Sequence, residues 1–544
     1  MSDTAAPKAA WSPPKPSPHA WRALVVLLIA MFMSLLDTTI VNVALQTIRE
    51  NVNGAGHPAA SEDVLSWIIS GYALAFGVAL IPAGRLGDRL GHKWIFFTGL
   101  AVFTAASLAC GLAQSDVQLI VFRVIQGFGA GIFVPAVTAY IQILFQGKVR
   151  GTAFAIMGAV IGVSSALGPI VGGLIIQGFG NENGWRLIFG VNLPIGIVAL
   201  ILAVVLVPGR QKLAEIAPQA PVNTRGGGLD WVGLFLITVG LVAILVPLIE
   251  GQQKGWPLWT YLTLAAGVVF IVLFAVWEVF YAKSDKSPLV PPHLFRHPAF
   301  TGGTVLALVY FGAFTSIFFT ISLLWQAGLG HTALESGLVS VPFAIGSIIA
   351  SSQSNRLAQR LGRTVLVIGT ALVVLGLFAV WLILLNVKPS DLTSWQLLVP
   401  LFFAGLGNGM FIAPNAQFIV ATVDSSEAGA ASGVISTVQR IGSAIGIAII
   451  GSVLFGVANL SSITGEVKTK VAAAMKQEHF TSAQAAATAA KSLGSSISKH
   501  QLAVHFTDAA TAAMGVSVIF ALVAFALVFA LPRRLSQQWA KKPE

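Results

Sequence analysis

Fourteen apolar stretches of about 20 residues each run along this chain, and no other feature limits its fold so strongly. They lie near 22–47, 62–83, 94–113, 117–141, 151–178, 186–207, 229–248, 260–281, 300–327, 336–354, 364–387, 395–422, 429–457 and 512–531. Inside a bilayer each backbone N–H and C=O must find a partner within the protein, and a run of this length does so as a helix. Of the 544 residues 56% are hydrophobic and 10% charged, against about 25% charged in soluble domains. The sequence therefore predicts an all-α polytopic membrane protein. An even number of crossings puts both termini on one side.

A net charge of +11 would suggest a nucleic-acid partner in a soluble protein. Here the basic residues sit in short loops. With the N-terminal tail placed in the cytoplasm, 21 of the 32 Lys and Arg fall in inside segments and nine outside, five of those between 458 and 511. Arg123 and Arg440 fall within helices. This excess on one side is the positive-inside pattern, and it predicts a cell-membrane protein with cytoplasmic termini and no nucleic-acid partner. Residues 1–20 lack the apolar core of a cleaved signal peptide, so they read as a cytoplasmic tail. The single cysteine, Cys110, allows no intramolecular disulfide and no thiol metal site. The nine histidines fall in tails, loops or helix ends, which weighs against a metal centre or an intramembrane enzyme.

The halves repeat each other. A shift of 278 pairs Gly127, Gly129, Gly131, Gly151, Gly168 and Gly173 with Gly405, Gly407, Gly409, Gly429, Gly446 and Gly451. A shift of 271 pairs "RLGDRLG" (85–91) with "RLAQRLG" (356–362). Repeated six-helix halves around an extra pair are a transporter plan, with the substrate site between the halves near the bilayer midplane. The expected divisions are a tail (1–21), a first bundle (22–207), the extra pair with its linkers (208–299), a second bundle (300–531) with a long outer loop (458–511), and a tail (532–544). That outer loop, rich in Ala, Ser and Lys, is expected to form exposed amphipathic helices or to stay mobile.

Two charges stand out inside the spans. Asp37 interrupts "LDTTIVNVAL" (36–45), with Thr38 and Asn42 on the adjoining face. A carboxylate at membrane depth costs several kcal/mol unless partnered, so this face is expected to line a cavity. Burial opposes the charged form and a nearby cation favours it, which suits a group that takes up and releases a proton. The plainer alternative is a hydrogen bond to a neighbouring helix. Arg123 keeps its charge and must find carboxylate or carbonyl partners, in a pairing with Asp37 or in a structural lock. Arg440 is expected to snorkel toward the inner interface, with substrate or counter-charge binding as alternatives. Glu278 is expected near the inner end of the eighth span, interfacial or a second proton site.

Four motifs, in order and at helix spacing, resemble the major facilitator superfamily, in its fourteen-helix drug:proton antiporter branch (EmrB/QacA type). They are "LDTTIVNVAL", "GRLGDRLGHK" (84–93), "LIVFRVIQGFGAG" (119–131) and "GVSSALGPIVGG" (162–173). Gln46 departs from the pattern, standing where many members have proline. The resemblance implies two six-helix bundles plus two extra helices. It implies proton coupling at Asp37 and Arg123, and a conformational latch at Gly84, Asp88, Arg89 and Gly91. In the second copy Ala358-Gln359 replaces Gly87-Asp88, so the latch is expected to be asymmetric. Gly162, Gly168, Pro169, Gly172 and Gly173 match the antiporter motif, though small residues at this spacing also serve ordinary helix packing.

No G-x-x-x-x-G-K-[ST] loop occurs, so a proton gradient is the expected energy source, with no cofactor. Substrate-binding candidates are Thr38, Asn42, Tyr72, Phe76, Gln126, Phe318, Phe319, Trp325, Asn408 and Asn415. Aromatic and amide linings suit amphipathic, often cationic molecules. The expected function is multidrug efflux by a monomer, whose partners are substrate, protons and lipid. Export of a dedicated metabolite, amino acid or lipid is the alternative; an intramembrane enzyme or a transport-dead sensor is the rival of a different class.

Overall fold

The computed structural model describes residues 16–54, 60, 62–216, 230–251, 254–284, 288–421, 423–424, 427–458 and 483–532. Among the described residues, fourteen helices are long and apolar enough to cross a membrane. The first bundle holds α1 (Pro18–Asn51), α2 (Glu62–Leu90), α3 (His92–Leu112) and α4 (Asp116–Leu144). It continues with α5 (Val149–Gly180) and α6 (Glu182–Leu206). The extra pair is α7 (Trp231–Glu250) and α8 (Leu258–Lys283). The second bundle holds α9 (Pro298–Leu323), α10 (Val341–Leu361), α11 (Thr364–Asn386), α12 (Ser394–Val420), α13 (Ala428–Ala458) and α14 (Ala483–Val528).

Several helix ends differ from the sequence reading. The stretch 84–90 is the last two turns of α2, and only Gly91 breaks the helix, at φ +100°, where an L side chain would be strained. Between α5 and α6 the break is confined to Gly180, at φ 75° and ψ 170°. α14 begins at Ala483, well before the expected 512, because its Ala-rich approach favours helix without apolar drive. Residues 459–482 of the expected outer loop lie outside the described residues.

Each bundle is wired alike. α1 packs on α5 and α6, α2 on α4, and α3 on α4 and α6; α9 packs on α13 and α14, α10 on α12, and α11 on α12 and α14. The glycine repeat now has a physical cause. A Cβ at Gly127 would strike the Tyr72 carbonyl on α2, and one at Gly405 the Phe343 carbonyl on α10. Gly129 and Gly407 repeat this against α3 and α11, where Cβ atoms would meet the backbones at Phe103 and Gly369. The shared glycines let paired backbones touch, which is how membrane helices pack closely.

The bundles meet through α2 on α13 and α5 on α10, with α4 on α13 and α5 on α12 beside them. α7 touches both α2 and α13, so the extra pair stands beside one seam. α8 is buried along a single stripe of Thr260, Gly267, Phe274 and Glu278, while Val268, Val272, Leu273 and Val276 stay exposed as a lipid-facing side. Glu278, expected near the inner end of this span as an interfacial group or a second proton site, lies near that end and faces the protein.

Candidate functional site

α1 carries Asp37, and α4 brings Arg123 and Gln126 to one face through their i, i+3 spacing. Arg123 Nη1 donates to Asp37 Oδ2 at 2.6 Å and to Gln126 Oε1 at 2.8 Å. Gln126 Nε2 donates to Asp37 Oδ1 at 2.9 Å, and Asn192 Nδ2 from α6 donates to the same oxygen at 2.8 Å. Asn192 also donates to Ser107 Oγ at 3.0 Å, and Ser107 donates to the Phe189 carbonyl at 2.9 Å. Arg123 Nε reaches the Ile68 carbonyl at 3.2 Å, and its guanidinium lies 4.2 Å above the Tyr72 ring. Asp37 is 0% and Arg123 1% exposed.

The expected pairing of the two charges is present, but the expected cavity lining is not: Asp37 is enclosed by α3, α4 and α6 side chains. Every polar group facing Asp37 is a donor. A proton on its carboxyl would cancel the charge that Arg123 is paired with and add an O–H that needs an acceptor of its own. Losing that charge would weaken the tie between α1 and α4, which Arg123 makes to Asp37. Asn192 was not foreseen; a lone amide between two apolar runs carries no signal of its direction. Asn192→Ala should cost about 1–3 kcal/mol, the usual penalty for a lost buried hydrogen-bond partner, measurable as a lower thermal midpoint in detergent.

A second construction joins the bundles at the end that carries the N-terminus. Asp88, one turn from the end of α2, accepts the Gly429 N–H on Oδ1 and the Ala430 N–H on Oδ2, both at 2.9 Å. These are early amides of α13, which lack partners within their own helix. A carboxylate there also meets the positive end of the helix dipole. Gly84 makes the approach feasible, since a Cβ would strike the Gly429 carbonyl. His92 Nε2 lies 3.2 Å and Arg85 Nη1 3.9 Å from Asp88. The Arg89 carbonyl accepts from Arg210. Just before α13, Glu427 contacts His293 at 3.0 Å; burial pushes the Glu427 carboxyl up from its ordinary value, against the pull of His293.

In the second copy of this contact Gln359 stands at the repeat position of Asp88. Asn355, at the repeat position of Gly84, donates to Thr152 Oγ1 at 3.0 Å and accepts from Gln359 at 3.1 Å. Gln142 donates to Ser432 at 3.2 Å, another tie between bundles at this end. Along the other seam a Cβ at Gly162 would lie 2.8 Å from Ser347 Oγ, one at Gly173 3.0 Å from Leu334 Cβ, and one at Gly337 2.6 Å from Pro169 Cβ. Gly168 instead abuts Thr39 on α1, and Gly172 is buried. The glycines of α5 therefore serve both its own bundle and the opposite one.

Residues 27–447 match the Major Facilitator Superfamily. The chain belongs to that superfamily. Its relatives include a protein described as "Probable actinorhodin transporter" from Streptomyces coelicolor, 33% identical over 85% of this chain and 78% of the relative. The "Multidrug transporter protein MdtP" of Bacillus subtilis is 32% identical over 79% of this chain and 74% of its own length. Among solved structures, the human organic anion transporter MFSD10 (TETRAN) superposes with a TM-score of 0.59 over 94% of this chain and all of that one, at 15% identity, a likeness of fold.

Within this major facilitator transporter the proposed substrate residues are scattered. Tyr72 and Phe76 are buried beneath the guanidiniums of Arg123 and Arg440, the latter 4.0 Å above its ring. Arg440 lies about 18 Å along α13 from its start, at the seam with α2 rather than snorkelling to the end of the bundle. Gln126 is a partner of Asp37. Asn408 accepts from Tyr310 at 2.9 Å and donates to Ser347 at 3.0 Å, and Asn415 donates to the Gly303 carbonyl at 3.2 Å. Trp325 is buried against His331, and Thr38 bonds back to the Ser34 carbonyl at 3.0 Å. The Asn42 side chain lies outside the described residues. Phe318 and Phe319 are half-buried. Phe318 sits edge-on to Phe314 at 5.4 Å and Phe343 at 5.1 Å. The sequence reading missed Tyr310 and Phe314, although their four-residue spacing to Phe318 marks one face of α9.

Proposed function

We propose that this transporter exports amphipathic, often cationic molecules in exchange for protons, by alternating access. The observation that carries the reading is Asp37, a buried carboxylate on α1 whose charge is met by Arg123 of α4 and whose other partners are amides of α4 and α6. Its first-bundle position has no charged counterpart in the second, where Leu401 stands at the repeat position of Arg123 and aromatic rings of α9 and α10 gather instead. The first bundle thus handles the proton, and the aromatic face offers apolar and cation–π contact to substrate.

In this reading the Asp88 latch closes the path toward the cytoplasm, where both termini lie, and proton uptake at Asp37 accompanies its release. The two bundles rock about the α2–α13 and α5–α10 seams. The proton gradient supplies the energy, no cofactor takes part, and one chain, holding both bundles, works as a monomer. The likeness to a "Probable actinorhodin transporter" favours a second reading, export of a dedicated metabolite by the same machinery.

The test uses proteoliposomes under an imposed pH gradient and a fluorescent cationic dye. Wild type should move the dye, and Asp37→Asn should lose gradient-driven movement by at least about tenfold. Full transport by the variant would sink the role of Asp37. No dye movement by wild type would overturn the multidrug reading in favour of the dedicated one.

A further inference from the structure

The first bundle's ion pair leaves a second buried acid unexplained. Glu278 on α8 is 2% exposed, and Asp230, the residue before α7, is 3% exposed. Asp230 is well supplied with donors: Trp277 Nε1 lies 3.0 Å from Oδ1 and 2.9 Å from Oδ2, and the Gly233 N–H reaches Oδ1 at 2.9 Å. Glu278 is not. Its Oε2 accepts the Val290 N–H at 3.2 Å, while buried Oε1 has no hydrogen-bond partner among the described residues.

That unpartnered oxygen faces Asp230. A Cβ at Gly233 would lie 2.6 Å from Asp230 Oδ2 and 2.8 Å from Glu278 Oε1. The two carboxylates therefore look across the small space that this glycine leaves open. Two like charges so placed out of water resist ionising together, and one shared proton relieves them. The side-chain and helix-end donors lie on Asp230, so the proton belongs on Glu278, whose O–H would then donate toward Asp230.

Other charged or titratable groups among the described residues lie within electrostatic reach. Arg85, from the penultimate turn of α2, acts on Glu278, Asp88 and Glu427 together. Among the described residues Arg89 and Tyr281 also lie near the pair. Arg85 is 3% exposed, and its Nε and Nη1 are buried without a hydrogen bond. It lies 3.9 Å from the latch carboxylate and within electrostatic reach of Glu278.

We propose that Glu278 is a second proton-binding site, which holds its proton toward Asp230 and sets the charge beside the latch residue Arg85. The extra helix pair would then do more than fill lipid-facing space: with Glu278 ionised, Arg85 is divided among three acids, and with Glu278 neutral it is left to Asp88 and Glu427. This does not depend on Asp37 being the transport proton carrier.

The test is infrared spectroscopy of the full-length protein in bilayers, following the C=O band of protonated carboxyl groups as the bulk pH is stepped. Wild type should show a component that is lost in Glu278→Gln and kept in Asp37→Asn. Glu278→Asp, which retains a carboxyl, should move that component rather than abolish it. Asp230→Asn, which removes the negative neighbour, should weaken it at each pH where wild type shows it. Spectra of Glu278→Gln that superpose on wild type at every pH would overturn the site. Hydrogen exchange of residues 428–433 reads the latch: a changed rate in Glu278→Gln at matched pH supports the link through Arg85, and an unchanged rate overturns it.

Discussion

Replacing Arg123 with leucine should lower stability by about 3–5 kcal/mol, the range for stranding one partner of a buried ion pair, and should abolish coupled export. Asp37 would keep two amide donors, from Gln126 and Asn192, but no positive charge, at a site closed to water. The same reasoning predicts a rescue. Adding Asp37→Asn to Arg123→Leu removes the stranded charge, so the double variant should recover most of the lost stability without recovering transport. Cys110 supplies the measurement, because the one cysteine of the chain is 0% exposed and its thiol faces Gln126 at 3.6 Å. A thiol-reactive fluorogenic dye in a thermal ramp should report each variant's unfolding. A double variant no more stable than Arg123→Leu alone would mean that the two charges are not energetically paired.

Gly84→Val should be as damaging to transport for a different reason. The added side chain meets the backbone carbonyl of Gly429, with no flexible side chain to yield. α2 and α13 must part, and the two Asp88 bonds go with them. Charge-assisted bonds of this kind are worth roughly 1.5–3 kcal/mol each, so losing both shifts the equilibrium away from the latched state by a hundredfold or more, at about 1.4 kcal/mol per factor of ten. Transport should fall to background while the thiol assay still shows a cooperative melt, because neither bundle's own packing is touched. Gly127→Val makes the contrast: its collision is with Tyr72 inside the first bundle, and there the melt itself should be lost. Wild-type transport by Gly84→Val would remove the Gly84–Gly429 contact from the transport cycle.

What the sequence made legible follows from what each feature depends on. Span number and the two-bundle plan depend on hydropathy and on glycine spacing, both local and additive, and they survive in the structure. Asp37 and Arg123 were conspicuous because a charge in an apolar run has few excuses. Asn192 and the second role of Gln126 were not, because whether an amide meets a carboxylate depends on how three helices are rotated against one another. The partners of Asp88 were less legible still. They are main-chain N–H groups at Gly429 and Ala430, and a backbone amide leaves no trace in the residue type beyond the small side chains that admit its neighbour. The inward turn of Glu278 was hidden for a related reason: its place near the helix end was legible, but the stripe it shares with Thr260, Gly267 and Phe274 is set by how α8 is rotated.

The start of α13 is finished by a side chain 341 positions earlier in the chain. A ribosome therefore delivers Asp88 to the membrane long before the helix it completes has been made, and the first bundle must wait with that acid uncommitted. Expressed as two separate polypeptides, divided in the linker after α8, the later fragment should insert with a frayed beginning to α13. It should regain protection at Gly429 and Ala430 only when the earlier fragment is present in the same membrane. Biogenesis of the second bundle would then end with a check that the first is already in place.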